Sequence, residues 1–153
     1  MLRRLAVLVL WMLVAASLGF AQDRAADTRL AQTKPGNCEM NAALLDSVRN
    51  EALEEGNRDG AVILIARLGN GETSRVHNRL RLLIAKNYLS KYSLPVQRIV
   101  AAEGERVNGY GRVELYVAGK LRVVLLANRN KPMCVECCDP DDADFYPYRR
   151  NKR

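Results

Sequence analysis

Ser74, Asn78 and Arg81 stand in the stretch SRVHNRLRLLIAKNYLSKYSLPVQRI, a segment otherwise rich in apolar residues. Spacings of four and three keep the three side chains along one side of a helix. They are either ordinary solvated residues on a core helix or a binding face. Whether the protein has a ligand depends largely on that choice.

Catalytic groups are harder to find. The single histidine, His77, has no acid at helical spacing on its N-terminal side and no serine or cysteine in a recognisable arrangement around it. LGNGE is too short for a phosphate loop. EALEE and DPDDAD lack metal-loop spacing and read as solvated acidic faces. The expectation is a protein without catalytic residues, metal or cofactor.

The second group with chemical potential is the set of four cysteines, Cys38 and the cluster Cys134, Cys137 and Cys138. Export makes two disulfides the first reading. Of three connectivities, the one joining adjacent Cys137 and Cys138 is disfavoured by disulfide geometry. The other two tie Cys38 to Cys137 or to Cys138. Closing a loop of about 100 residues stabilises a fold by roughly 4–5 kcal/mol in the chain-entropy model. A zinc site and a redox-active C-x-x-C are the alternatives to this staple.

Export itself is read from the start of the chain. Arg3 and Arg4 precede an apolar run from Leu5 to Leu18, with Gly19 and Ala21 following, the pattern of a secretory signal peptide cleaved after Ala21. An uncleaved anchor would be the other reading of so short a run. The expected product is periplasmic or secreted, with no transmembrane segment in the mature chain. Removing Arg3 and Arg4 takes the net charge from +7 to +5 (7 − 2). That modest excess suits anionic cell-envelope polymers better than nucleic acid, since the basic residues are scattered. The compact cluster Arg149 to Arg153 reads as a solvated terminus.

These groups need elements to position them. Residues 22–40 form a polar lead-in, residues 41–128 the folded domain, and residues 129–153 a cysteine-bearing charged tail. Asn41 is placed to cap a helix carrying Leu44, Leu45, Val48 and Ala52 on one face, with Gly56 at its end. AVILIAR at 61–67 predicts a strand buried on both faces. LGNGETS predicts a turn, with Thr73 or Ser74 capping a second helix that runs to about Lys91. Val76, Leu80, Leu83, Ile84 and Asn87 should turn that helix toward the sheet, with Leu82 and Leu89 pointing away. A strand at 98–103 and a hairpin around Gly119 complete the series. The predicted fold is an α/β (α+β) two-layer sandwich, a mixed sheet with two helices packed on it.

The pattern S-x-x-x-N-x-x-R-x-x-x-A-x-x-YL from Ser74 to Leu89, followed by SLPVQRI and GRVELYV, resembles the OmpA-like domain of bacterial cell envelopes. The resemblance covers about residues 42–117. Arg81 falls on the family arginine, Asn78 on its serine and Ser74 on its asparagine. Tyr88 and Leu89 fall on its Tyr-Leu pair, Gly69 on a loop glycine, and Arg98 and Arg112 on later arginines. The resemblance implies a β/α/β/α/β-type sheet that binds diaminopimelate of peptidoglycan, an aspartate and the helix arginine gripping its two charged ends. The family's GHTD signature is missing here. Its aspartate aligns with Ala66, and the nearest carboxylate, Glu72, lies beyond Gly69.

Two functions follow as expectations. One is a divergent, non-catalytic cell-envelope module that binds peptidoglycan or another anionic polymer weakly, through Arg81, Asn78, Ser74 and Arg112. The other is a disulfide-stapled module that meets another exported protein and has lost peptidoglycan binding.

Overall fold

The computed structural model describes residues 32–135, so the signal-peptide reading, Cys137, Cys138 and the Arg149–Arg153 cluster lie outside the described residues. Helix α1 (Cys38–Leu53) is followed by strand β1 (Val62–Arg67), helix α2 (Val76–Lys91), and strands β2 (Ile99–Glu103), β3 (Gly111–Val117) and β4 (Lys120–Ala127). The sheet order is β2-β1-β3-β4. β2 lies parallel to β1, with α2 as the crossover, while β3 runs antiparallel to both β1 and β4. This is the two-layer α+β sandwich that helix-separated strands followed by a hairpin require. Ala118 and Gly119 both have positive φ, 49° and 78°, as a two-residue hairpin turn demands.

The core lies between helices and sheet. Leu45, Val48 and Ala52 of α1 and Ala85 and Leu89 of α2 meet Val62, Leu64, Val113, Leu115, Val123 and Leu125 of the strands. Arg98 ties the sheet to the far end of α1. Its guanidinium donates to the carbonyls of Ala52, Asn57 and Gly60 at 2.8–3.0 Å, satisfying one oxygen of the last helical turn and two of the loop after it.

Several local expectations change. The cap of α1 is Asn37, whose side chain accepts from Met40 N at 2.9 Å. Asn41 is buried a turn further in, where its Nδ2 donates to Cys134 O at 2.8 Å. The helix ends at Leu53, before Gly56. β1 is buried on one face only: Val62, Leu64 and Ala66 turn inward while Ile63, Ile65 and Arg67 are half-buried. An apolar run without alternation does not reveal that its second face has no helix on it.

The face of α2 is also rotated from the expected one. Asn78, Arg81, Leu82, Ile84, Ala85, Tyr88 and Leu89 are buried; of the face expected from sequence only Ile84 is among them, and Leu83 is exposed. The buried series has spacings of three and four, so it is a regular helical stripe. Two of its members are polar, and a stripe sought among apolar residues alone lands on the wrong side.

Cys38 is bonded to Cys134, with Cα atoms 4.8 Å apart. A tie between Cys38 and the C-terminal cluster is therefore present, but not through Cys137 or Cys138. The elimination weighed the strain of joining adjacent cysteines and not the path of the chain. Instead the chain leaving β4 crosses the start of α1 at residue 134, held there by the Asn41 bond and by buried Met133 and Val135. Among the described residues, no helix is long and apolar enough to cross a membrane.

Candidate functional site

Among the described residues, Arg81 is the largest side chain that is fully buried. Its partner is Glu72, equally buried, in the turn before α2. Arg81 Nη1 donates to Glu72 Oε2 at 3.0 Å and Nη2 to Oε1, forming the bidentate geometry that arginine favours with a carboxylate. Nη2 also donates to the carbonyls of Asn128 and Lys131 at 3.3 and 3.1 Å. Glu72 in turn accepts from Gly69 N and Asn130 N, both at 2.9 Å. The pair thus fastens the turn before α2 to the segment that follows β4.

The electrostatics follow from this count. Burial alone would raise the Glu72 carboxyl, but hydrogen bonds from Arg81, Gly69 and Asn130 outweigh it and bring the pKa down to about 2. Gly111 makes the room. A Cβ there would overlap both the Glu72 carboxylate and the Arg81 guanidinium, so the glycine is required by close approach. A neighbouring cavity of about 260 Å³ is lined by Asn70, Glu72, Gly109, Tyr110, Gly111 and Arg129. Both Glu72 oxygens already accept two bonds each, so this carboxylate has nothing left to offer an occupant.

Asn78 sits one turn earlier and is the opposite case. It is buried, and its Oδ1 has no hydrogen-bond partner. It lines a second cleft of about 440 Å³ with Leu68, Thr73, Arg75, Glu103, Gly104, Glu105 and Arg106. Arg106 is anchored by a 2.7 Å bond from Nη1 to Gly69 O, and Glu103 meets Arg79 at 3.4 Å. The cleft is therefore lined by an asparagine whose buried oxygen has no partner, with charges of both signs around it. Such a surface fits a small polar group that carries charges of both signs.

The four residues expected from sequence are not brought together. Ser74 is exposed, where its Oγ accepts from Val76 N at 3.3 Å and helps start α2. Arg112 belongs to a separate cluster on the other face of the sheet. It meets Glu114 at 2.7–2.8 Å, and Glu114 also accepts from Arg67 Nε at 3.0 Å and Tyr116 OH at 3.1 Å. Burial would raise the Glu114 carboxyl, but Arg67 and Arg112 hold it below the ordinary range. Burial and the neighbouring Glu114 charge push the Tyr116 hydroxyl up. Only Asn78 lines the open cleft.

Glu72 was missed as Arg81's partner, and the cleft charges Arg75, Glu103, Glu105 and Arg106 were missed entirely. Glu72 precedes Arg81 by nine residues, across a turn, and no helical spacing announces that pairing. Among the described residues, no group of three or more metal-ligating side chains could hold an ion, and His77 Nδ1 is buried without a partner. No family model, curated protein or solved structure matches the chain.

Proposed function

We propose that the chain is an exported, non-catalytic module of the cell envelope, related to the OmpA-like domain it resembles, that binds peptidoglycan weakly in the cleft beside Asn78. One observation carries this reading: Asn78, whose buried Oδ1 has no partner, lines a cleft of about 440 Å³ rimmed by Arg75, Arg106, Glu103 and Glu105. A buried acceptor without a donor costs about 1–3 kcal/mol, and a ligand N–H or O–H would recover that cost on binding. Arg75 and Arg106 would draw in a carboxylate, and Glu103 and Glu105 an ammonium. Arg81 takes no part, because Glu72 already occupies it.

Co-sedimentation with isolated peptidoglycan tests this. The wild type should sediment at low salt and be released as salt rises, since charge attraction at an open rim is screened. Arg75→Ala, a change at an exposed position, should weaken sedimentation several-fold without altering thermal stability. Sedimentation unchanged by Arg75→Ala and Asn78→Leu would remove the cleft from the reading. The second reading, a module for another exported protein, is favoured by the closure of Arg81 onto Glu72 and requires no sedimentation at any salt.

A further inference from the structure

Three turns meet at the Arg81–Glu72 pair, and hydrogen bonds tie them to one another. Asn70 N donates to Gly109 O at 2.8 Å and Val107 N to Leu68 O at 2.9 Å, which joins the turn after β1 to the loop before β3. The two approach so closely that a Cβ on Gly69 would overlap the backbone of Tyr110 and Gly111. Asn130 N on Glu72, and the carbonyls of Asn128 and Lys131 on Arg81, hold the turn after β4 to the same place. Gly71, Gly109 and Asn130, one in each turn, have positive φ of 74°, 84° and 54°. The cavity of about 260 Å³ that these turns line is thus pre-formed, and no wall has to order itself around an occupant.

We propose that this cavity binds one sugar ring bearing a carboxylate, a uronic acid residue, with Arg129 on the carboxylate and Tyr110 on the ring. Charge is the first support. Arg129 lines the cavity, and among the described residues its guanidinium has neither a hydrogen-bond nor an ion-pair partner. It lies over Gly71, where a Cβ would come within 3.3 Å of its Cζ. Glu72 is neutralised by Arg81 and its oxygens are filled, so the wall does not repel an anion and Arg129 leaves the site with one net positive charge. A free guanidinium presents the planar donor fork that a carboxylate takes in bidentate fashion.

Surface and size select the class of anion. Gly109 and Gly111 bring no side chains to the cavity, and Tyr110 between them is 46% exposed, an aromatic ring that the core does not use. An apolar ring with a hydroxyl tip suits an occupant with C–H faces and a hydroxyl rim. Asn70 adds an amide, which both donates and accepts, as a hydroxyl requires. The volume is just below the range of about 300–1,000 Å³ for drug-sized ligands, so it admits one small ring and not a chain. A bare inorganic anion would engage Arg129 and leave the tyrosine without a role. The cavity shares no lining residue with the cleft beside Asn78, so the proposal stands apart from the peptidoglycan reading.

The test follows the backbone amide resonances of the full chain during titration with methyl glucuronide, methyl glucoside and acetate. The expected result is a saturable shift around Asn70, Tyr110 and Arg129 with methyl glucuronide. Its binding should be about tenfold tighter than that of methyl glucoside, as one charge-assisted contact predicts. Arg129→Gln should remove that preference, and Tyr110→Ala should weaken both sugars. Both positions are exposed, so the variants should melt with the wild type. Acetate that binds at these amides as tightly as methyl glucuronide reduces the cavity to a simple anion site and overturns the proposal. So does the absence of a saturable shift, or a preference that survives Arg129→Gln. The three wild-type titrations decide the matter even where a variant fails to fold.

Discussion

Asn78 and Arg81 lie three residues apart on the same buried stripe of α2, yet one is closed and the other open. Around Arg81 a carboxylate and two carbonyls engage both terminal nitrogens, leaving Nε without a partner, and the Glu72 oxygens accept four bonds in all. Around Asn78 an oxygen is buried with no donor, on the wall of a cleft. Residue type alone ranks the pair the other way, since arginine is the stronger carboxylate ligand. Hydrogen-bond satisfaction decides which side chain is available, and that is a property of neighbours far off in sequence.

The largest effect that this contrast predicts is on stability. Arg81→Leu leaves the Glu72 charge buried without its counter-ion, which costs about 3–5 kcal/mol. Urea unfolding should show this as a lower midpoint at an unchanged slope. The double variant Glu72→Leu/Arg81→Leu should cost less than the two single changes added together, because no unpaired charge remains. Additive losses would mean that the pair is not coupled and that Arg81 is open after all.

A second effect follows from acid. The Glu72 carboxyl is lowered from 4.5 to about 2 by Arg81, Gly69 and Asn130 acting against burial. A depressed carboxyl contributes stability that is complete above its unfolded value and is lost as pH falls through its folded value. The loss therefore belongs to the window between 4.5 and about 2, and amounts to about 3 kcal/mol for this group. Glu114, also lowered, adds to the acid loss of the whole protein, so the comparison must be with Glu72→Gln. Unfolding curves of that variant should lose about 3 kcal/mol less than the wild type across the window. An identical loss in both would place the acid sensitivity elsewhere, with Glu114 the first candidate.

The contrast also marks where sequence reading stops. A β-branched run, a helix pattern between two strand patterns, and a glycine between two apolar stretches were enough for the sheet, the crossover and the hairpin, because each is a local signal. The buried face of α2 was not legible, because Asn78 and Arg81 occupy core positions that a search for apolar stripes passes over. The disulfide partner was misread for a similar reason. Cysteine counting treats the cluster as interchangeable, whereas the path of the chain after β4 puts residue 134 beside α1. The resemblance drew attention to Arg81, whose guanidinium is taken up by Glu72. Glu72 was legible as the nearest acid, but only the fold turns it back toward Arg81 and opens the space at Gly111.

The smallest effect in energy discriminates best. Asn78→Leu removes a buried oxygen that has no donor and replaces the amide with an apolar group of similar outline. Replacing an unsatisfied polar group by an apolar one of like shape is close to neutral or stabilising, by about 1 kcal/mol at most. A purely structural asparagine would behave differently, since breaking a bond that it made would destabilise the fold by a similar amount. The expected outcome is thus a melting temperature equal to or slightly above the wild type, together with lost sedimentation on peptidoglycan. A residue that costs stability in the free protein and returns it only with ligand bound is a binding residue. If Asn78→Leu melts several degrees lower, the oxygen has a partner after all, and the contrast between the two positions on α2 collapses. If it melts higher and still sediments like the wild type, the cleft is an ordinary surface hollow, and the binding surface lies away from α2.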